Sequence, residues 1–285
     1  MSRNEQTIRL LMVPVIALTF ACGGDGADDS DTGGAAAADA VQVDPSTAGS
    51  VVGTVSFEGQ PPEGDPIDMS EEPACAEKHS DQPRTRPVVV GSDGGLQNVF
   101  IHVTQGLPEG SWPAADEAVE LDQDGCIYEP HVLAVRTGQT LTIRNSDGIL
   151  HNINARPENQ RGFNISQPAV MTTDRTFSQP EVMIPIQCDV HGWMEAYLGV
   201  VEHPYFAVTS EDGTFEIGNL PPGDYVIEAW HERYGTQTQN VTVAESGEAT
   251  ADFSYSASMA GAVVPLGDPI DLHDHATAGS AGGGL

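Results

Sequence analysis

The chain has 285 residues, a formal net charge of -31 and only 11 Lys+Arg, which excludes a phosphate-backbone partner, since nucleic-acid binders need basic stripes. No run of about 18 apolar residues occurs, so no ordinary transmembrane helix is predicted. The length suits one or two domains, and the 39% hydrophobic residues are clustered enough to build a core over part of the chain.

At the amino terminus, Arg3 and Arg9 precede the apolar run from Leu10 to Phe20, and small Ala21 precedes Cys22. A charged start, an apolar stretch and a small-residue cleavage point predict an export signal over residues 1–21. With Gly23-Gly24-Asp25-Gly26 following, the segment resembles a bacterial lipoprotein signal. Thr19 stands where such signals usually carry Leu. The resemblance implies lipidation of Cys22 and a place in the cell envelope, on its periplasmic or extracellular face. Without the lipid the chain would be secreted. Residues 22–49, rich in Asp, Gly and Ala, predict a flexible tether.

From Val51 onward the pattern is all-β. Val51, Gly53, Val55 and Phe57 alternate until Gly59-Gln60-Pro61-Pro62 breaks the strand. Val99, Ile101 and Val103 alternate next, then Leu141 and Ile143, then Val182, Ile184 and Ile186. Phe215 and Ile217, Tyr225 and Ile227, and Val241 and Val243 follow the same rule. No stretch of helical period stands out. Short strands between Gly/Pro turns predict antiparallel sandwiches. Residues 257–285 are Gly- and Ala-rich and predict a loose tail; its Asp271-Leu272-His273-Asp274-His275 run reads as a solvated end or a weak metal site.

One window carries chemistry. In Gln187-Cys188-Asp189-Val190-His191-Gly192-Trp193-Met194, cysteine, histidine and methionine recur every third residue just after a strand. His151, followed by Asn152, lies just beyond another strand. A trigonal His₂Cys set with a long axial Met is the ligand field of a mononuclear blue-copper centre. The soft thiolate suits Cu(I), and imidazole suits both oxidation states. Three ligands on one short loop converge on a point, and the fourth comes from a neighbouring strand end. Haem attachment needs a second cysteine and an adjacent histidine, and a dinuclear copper loop also needs two cysteines; the loop has one. Met171 and Met183 compete with Met194 for the thioether role.

These residues resemble the cupredoxin family, and the short Cys188-x-x-His191-x-x-Met194 loop is most similar to amicyanin. The resemblance spans about residues 118–203 and implies a Greek-key β-sandwich holding one type 1 copper ion. Its ligands would be His151, Cys188, His191 and Met194, with Asn152 steadying the ligand loop. Gly192 stands where amicyanin has proline. Ile149, Leu150, Gly192 and Trp193 would surround an exposed edge of His191. They form either an apolar rim where electrons pass to a partner or, for Trp193, plain loop packing.

Cys75 and Cys126 remain, and an exported chain predicts a disulfide between them. The alternative is a second metal site with His79 and His131. His102, His203 and His231 read as structural.

The segment Asp212-Gly213-Thr214-Phe215, followed by Leu220-Pro221-Pro222-Gly223-Asp224-Tyr225, resembles carboxypeptidase regulatory-like (transthyretin-like) sandwiches. Residues 204–256 supply too few strands for independent stability. Gly53–Gly59 and Leu96–Val103 look like the missing ones. We therefore expect a host sandwich from residues 50–116 and 204–256, with a cupredoxin over 117–203 inserted between; three serial units are the rival arrangement.

The leading functional expectation is a membrane-tethered electron carrier. Its partner would be another exported redox protein: a c-type cytochrome, an oxidase or a dehydrogenase. The acidic surface favours a basic partner face. Copper delivery or storage is the second reading, and a structural or carbohydrate-contacting lipoprotein with a non-functional metal domain the third. An enzyme would need an open metal position, which a site saturated by protein ligands lacks.

Overall fold

The computed structural model describes residues 40–260. Cys22, the export signal and the Asp271–His275 run lie outside the described residues. Among the described residues no helix is long and apolar enough to cross a membrane.

The chain opens with β1 (Gly49–Glu58), a single helical turn α1 (Pro73–Ala76) and β2 (Phe100–Gln105). Nine strands follow: β3 (Val119–Asp124), β4 (Ile127–Glu129), β5 (Val132–Arg136), β6 (Leu141–Asn145), β7 (His151–Ala155), β8 (Phe163–Gln167), β9 (Met171–Arg175), β10 (Glu181–Gln187) and β11 (Glu195–Val201). The last group is β12 (Phe206–Val208), β13 (Thr214–Leu220), β14 (Gly223–His231), β15 (Gly235–Val243), β16 (Glu248–Thr250) and β17 (Phe253–Ser256). The fold is all-β, as the period-2 patterning predicts.

The strands form four sheets. Sheet order β13-β1-β16, with β17 also on β1, faces order β12-β2-β14-β15 across one core of Val51, Val55, Leu96, Ile101, Phe215, Ile227 and Tyr255. Order β4-β3-β6-β9 faces β5-β11-β10-β7-β8 across a second core of Leu121, Tyr128, Leu141, Ile143, Ile153, Ile184, Ile186 and Leu198. Strands β3 to β11 pair only with one another, while β1 and β2 pair with strands that follow residue 205. The chain leaves and re-enters the first sandwich side by side, since the Val103 amide donates to the Tyr205 carbonyl at 3.1 Å.

Local chemistry explains the turns. In the Ser210–Thr214 turn, one Asp212 carboxylate oxygen accepts from the Thr214 amide at 3.0 Å and from Ser210 Oγ at 2.6 Å. Gly213 sits at φ +77°, and a Cβ there would lie 2.4 Å from the Val55 carbonyl oxygen. Only glycine fits that left-handed, crowded position.

The two sandwiches share a third apolar cluster. Phe100 of β2 packs with Val132 and Ala134 of β5 and Val201 of β11, flanked by Met183, Tyr197 and Trp230. His131 Nε2 meets Glu232 Oε1 at 2.7 Å across the same seam. Met183 therefore belongs to this seam.

One segment departs from the expected grouping. Ile67, Met69 and Cys75, read from sequence with the first sandwich, are buried in the core of the second. The stretch around α1 crosses over and caps it, because its apolar side chains find their cover there.

Candidate metal centre

Strands β7 and β10 are antiparallel neighbours, with Ile186 opposite Ala155 and Gln187 opposite Asn154. The start of β7 and the end of β10 thus lie at one end of the sheet. His151 is the first residue of β7, and Cys188 directly follows β10. The loop returning to β11 closes on itself: the Cys188 amide donates to the Met194 carbonyl at 3.1 Å, and the Met194 amide to the His191 carbonyl at 2.9 Å.

This geometry brings the His151, Cys188 and His191 donor atoms within 4.8 Å of one another, all three residues being buried. The Nδ1 atoms of His151 and His191 are 2.9 Å apart, and Cys188 Sγ lies 3.9 Å from His191 Nδ1. Met194 is buried in the same core cluster. One sulfur and two imidazole nitrogens converging on a dry point fit a copper ion, whose soft and borderline ligands these are.

Electrostatics prepare the donors. Burial pushes the Cys188 thiol up, but hydrogen bonds from the His151 ring and from the backbone of Asn152, His191 and Val190 hold it below its ordinary value. A depressed thiol favours thiolate, the form that ligates metal. Burial and the neighbouring charge of His151 both lower His191. Burial alone would lower His151, but Asp147 and the thiolate hold it above its usual value.

Asn152 Oδ1 accepts from the amides of Asp189 at 2.6 Å and Val190 at 3.3 Å. Its Nδ2 donates to Asp189 Oδ2 at 3.0 Å, and Asn154 and Asn164 also hold that carboxylate. Asparagines on β7 and β8 therefore pin the first turn of the ligand loop. Asn152 was expected to steady the loop; the roles of Asn154, Asn164 and Asp189 were not visible in the sequence, although three Asn spaced along paired strands hint at them.

The expected exposed edge of His191 does not exist in this structure. His191 is 2% exposed. Cys75 Sγ and Glu72 Oε2 each lie 3.9 Å from its Nε2. Trp193 leans on the ring at a centroid distance of 5.1 Å and donates its indole N–H to the Cys126 carbonyl at 3.0 Å. Trp193 and Ile149 are half-buried, while Leu150 and Gly192 of the expected rim are exposed. The cause is the cap: α1 is bonded to the β3–β4 turn by the Cys75–Cys126 disulfide. That bond consumes both cysteines of the alternative second metal site, while His79 Nε2 bonds the Gly125 carbonyl and His131 bonds Glu232. His102 pairs with Glu228 at 3.2 Å, and His203 and His231 accept backbone amides.

Comparison with known proteins matches parts of the chain. The carboxypeptidase regulatory-like domain matches residues 199–256, which take in β12 to β17. No curated protein matches the chain. Solved structures similar to part of it include a copper-containing nitrite reductase from Thermus scotoductus SA-01, at 19% identity and TM-score 0.29, covering 34% of this chain and 25% of the reductase. A purple cupredoxin from Nitrosopumilus maritimus is 20% identical at TM-score 0.25, over 29% of this chain and 98% of its own. A reduced Cu(I) mutant of amicyanin at pH 4 is 24% identical at TM-score 0.26, over 30% and 85%. The chain spans only a quarter of the nitrite reductase's length.

Proposed function

We propose that this protein is an exported, lipid-anchored electron carrier that holds one copper ion through His151, Cys188, His191 and Met194. When bound, the copper supplies a one-electron couple between Cu(I) and Cu(II). The convergence of three buried donor atoms within 4.8 Å carries the reading. The chain's part is to keep those donors in one arrangement for both oxidation states. The closed Cys188–Met194 loop, the three asparagines on Asp189 and the cap each restrict movement. Burial also shuts out water and leaves no approach for a substrate.

The same burial favours carriage of electrons over delivery of the ion, because a copper donor must open its site to an acceptor. The first sandwich, whose strands supply none of the proposed ligands, serves as host and spacer. Residues 50–116 and 204–256 frame the metal sandwich of 117–203 in this proposal, apart from the capping stretch. The partner we expect is an exported redox protein with a basic face, such as a c-type cytochrome, an oxidase or a dehydrogenase. The net charge of -31 makes that association weaken with salt.

The test is the absorption and electron paramagnetic resonance spectrum of the copper-loaded mature protein. A thiolate charge-transfer band that vanishes in Cys188→Ala is the expected result. A colourless protein, or a band that survives that substitution, overturns the proposal.

A further inference from the structure

The loop between β6 and β7 holds a carboxylate that the ligand set does not include. Asp147 has a side chain with no solvent exposure. Its Oδ1 accepts from Lys78 Nζ at 2.9 Å and the Gly125 amide at 2.8 Å. Its Oδ2 accepts from the Cys126 amide at 2.8 Å and from His151 Nε2 at 2.9 Å. Asn145 shapes the turn that delivers it, accepting through Oδ1 from the Asp147 amide at 3.0 Å and the Gly148 amide at 3.1 Å. Gly148 takes φ +70°, which lets the chain reverse there.

We propose that Asp147 is the positioning residue of the metal centre, fixing His151 by its Nε2 so that Nδ1 faces Cys188 and His191, with Lys78 of the capping stretch balancing its charge. The inference rests on the proposed metal function, but its geometry does not depend on it. An ionised carboxylate only accepts, so the hydrogen between the two groups sits on Nε2. The lone pair on Nδ1 is then the one free to ligate. A carboxylate acceptor also makes the imidazole a stronger donor than a neutral carbonyl would. A stronger donor favours Cu(II) and lowers the reduction potential. Lys78, the only lysine in the sequence, opposes that effect by drawing on the same carboxylate. The cap thus reaches the ligand through two links, the Lys78 ammonium and the amide of disulfide-bonded Cys126.

Two variants with opposite expected signs test this. In Asp147→Asn the carboxylate charge is lost. The reduction potential rises, Cu(II) affinity falls roughly 10–100-fold, and the His151 Nε2–H proton signal moves upfield in the metal-free protein. In Lys78→Met, which changes a partly exposed side chain, the carboxylate turns fully to His151. The potential falls and the same proton signal moves downfield. Shifts of one sign in both variants, or an unmoved proton signal in both, overturn the proposal. The proton signal needs no copper, so a wild type that binds no metal sinks the electron-carrier reading while the NMR arm still decides the role of Asp147.

Discussion

Cys75 Sγ lies 3.9 Å from Nε2 of His191, so a disulfide stands on the outer edge of an imidazole in the candidate metal centre. On the other side of that ring, Nδ1 faces His151 at 2.9 Å and Cys188 at 3.9 Å. His191 is thereby enclosed between the proposed metal position and a covalent cap. Both cysteines of the bond are fully buried. A thiol reductant needs access to a sulfur, so the bond acts as a permanent staple.

Removing the staple tests what the cap contributes. The disulfide closes a loop of sequence separation 51, worth about 4 kcal/mol in the chain-entropy account. Cys75→Ser with Cys126→Ser should lower stability by 2 to 4 kcal/mol, roughly. It should also speed copper loss to an external chelator, because the His191 edge opens. Denaturant titration and chelator-transfer rates measure the two effects. An unchanged transfer rate in a folded variant means the cap does not restrict access.

His231 predicts acid sensitivity in the first sandwich. Burial, then the charges of His131 and Arg233, push it down to about 3 from 6.5. It packs on Tyr234 at 4.9 Å and takes the Arg233 amide at Nδ1, a bond that requires the neutral ring. Because the folded value is depressed, its contribution is complete above pH 6.5 and is lost as pH falls towards 3. Between pH 7 and 4.5 the loss is on the order of 2 kcal/mol. His231→Gln should show a flatter stability profile over that range in urea titrations. Equal slopes for variant and wild type would exclude His231 as the acid trigger.

The residues show why part of this was legible and part was not. Strands such as β14 bury Tyr225, Ile227, Ala229 and His231 in strict alternation, and a half-buried sheet writes that period directly into the sequence. Cys188, His191 and Met194 were visible because such residue types rarely recur at that spacing. Asp147 was not, being one of 42 acidic residues whose meaning comes from Lys78 and Gly125 far along the chain. The cap was equally hidden. Ile67, Met69 and Cys75 sit in an aperiodic stretch, and their burial depends on a surface built by other segments. The supposed exposure of His191 failed for that reason.

The His131–Glu232 contact predicts the opposite pH trend at the seam. Burial lowers His131, but the hydrogen bond and charge of Glu232 outweigh it and hold the histidine above its ordinary value. A raised folded value means a contribution fully present below pH 6.5 and lost as pH rises through the folded value. Glu232→Gln should therefore destabilise the protein more at pH 6 than at pH 9. Stability measured at both values decides it; an equal cost would reduce the pair to an uncharged hydrogen bond.

Strand pairing makes a last prediction about how the chain divides. β1 is held between β13 and strands β16 and β17, so the amino-terminal part of the first sandwich is hydrogen-bonded to segments beyond residue 213. The connection from β2 to β3 runs through mostly exposed residues 106–118. A protease site placed between Ala114 and Ala115 should accept a clean cut there. With Cys75 and Cys126 both changed to Ser, so that no disulfide joins the pieces, the two fragments should then co-elute on gel filtration, because backbone ladders and the Val51–Phe215–Tyr255 core hold them, and should separate only in denaturant. Three serial units would instead fall into separate peaks without denaturant, which would defeat the insertion arrangement.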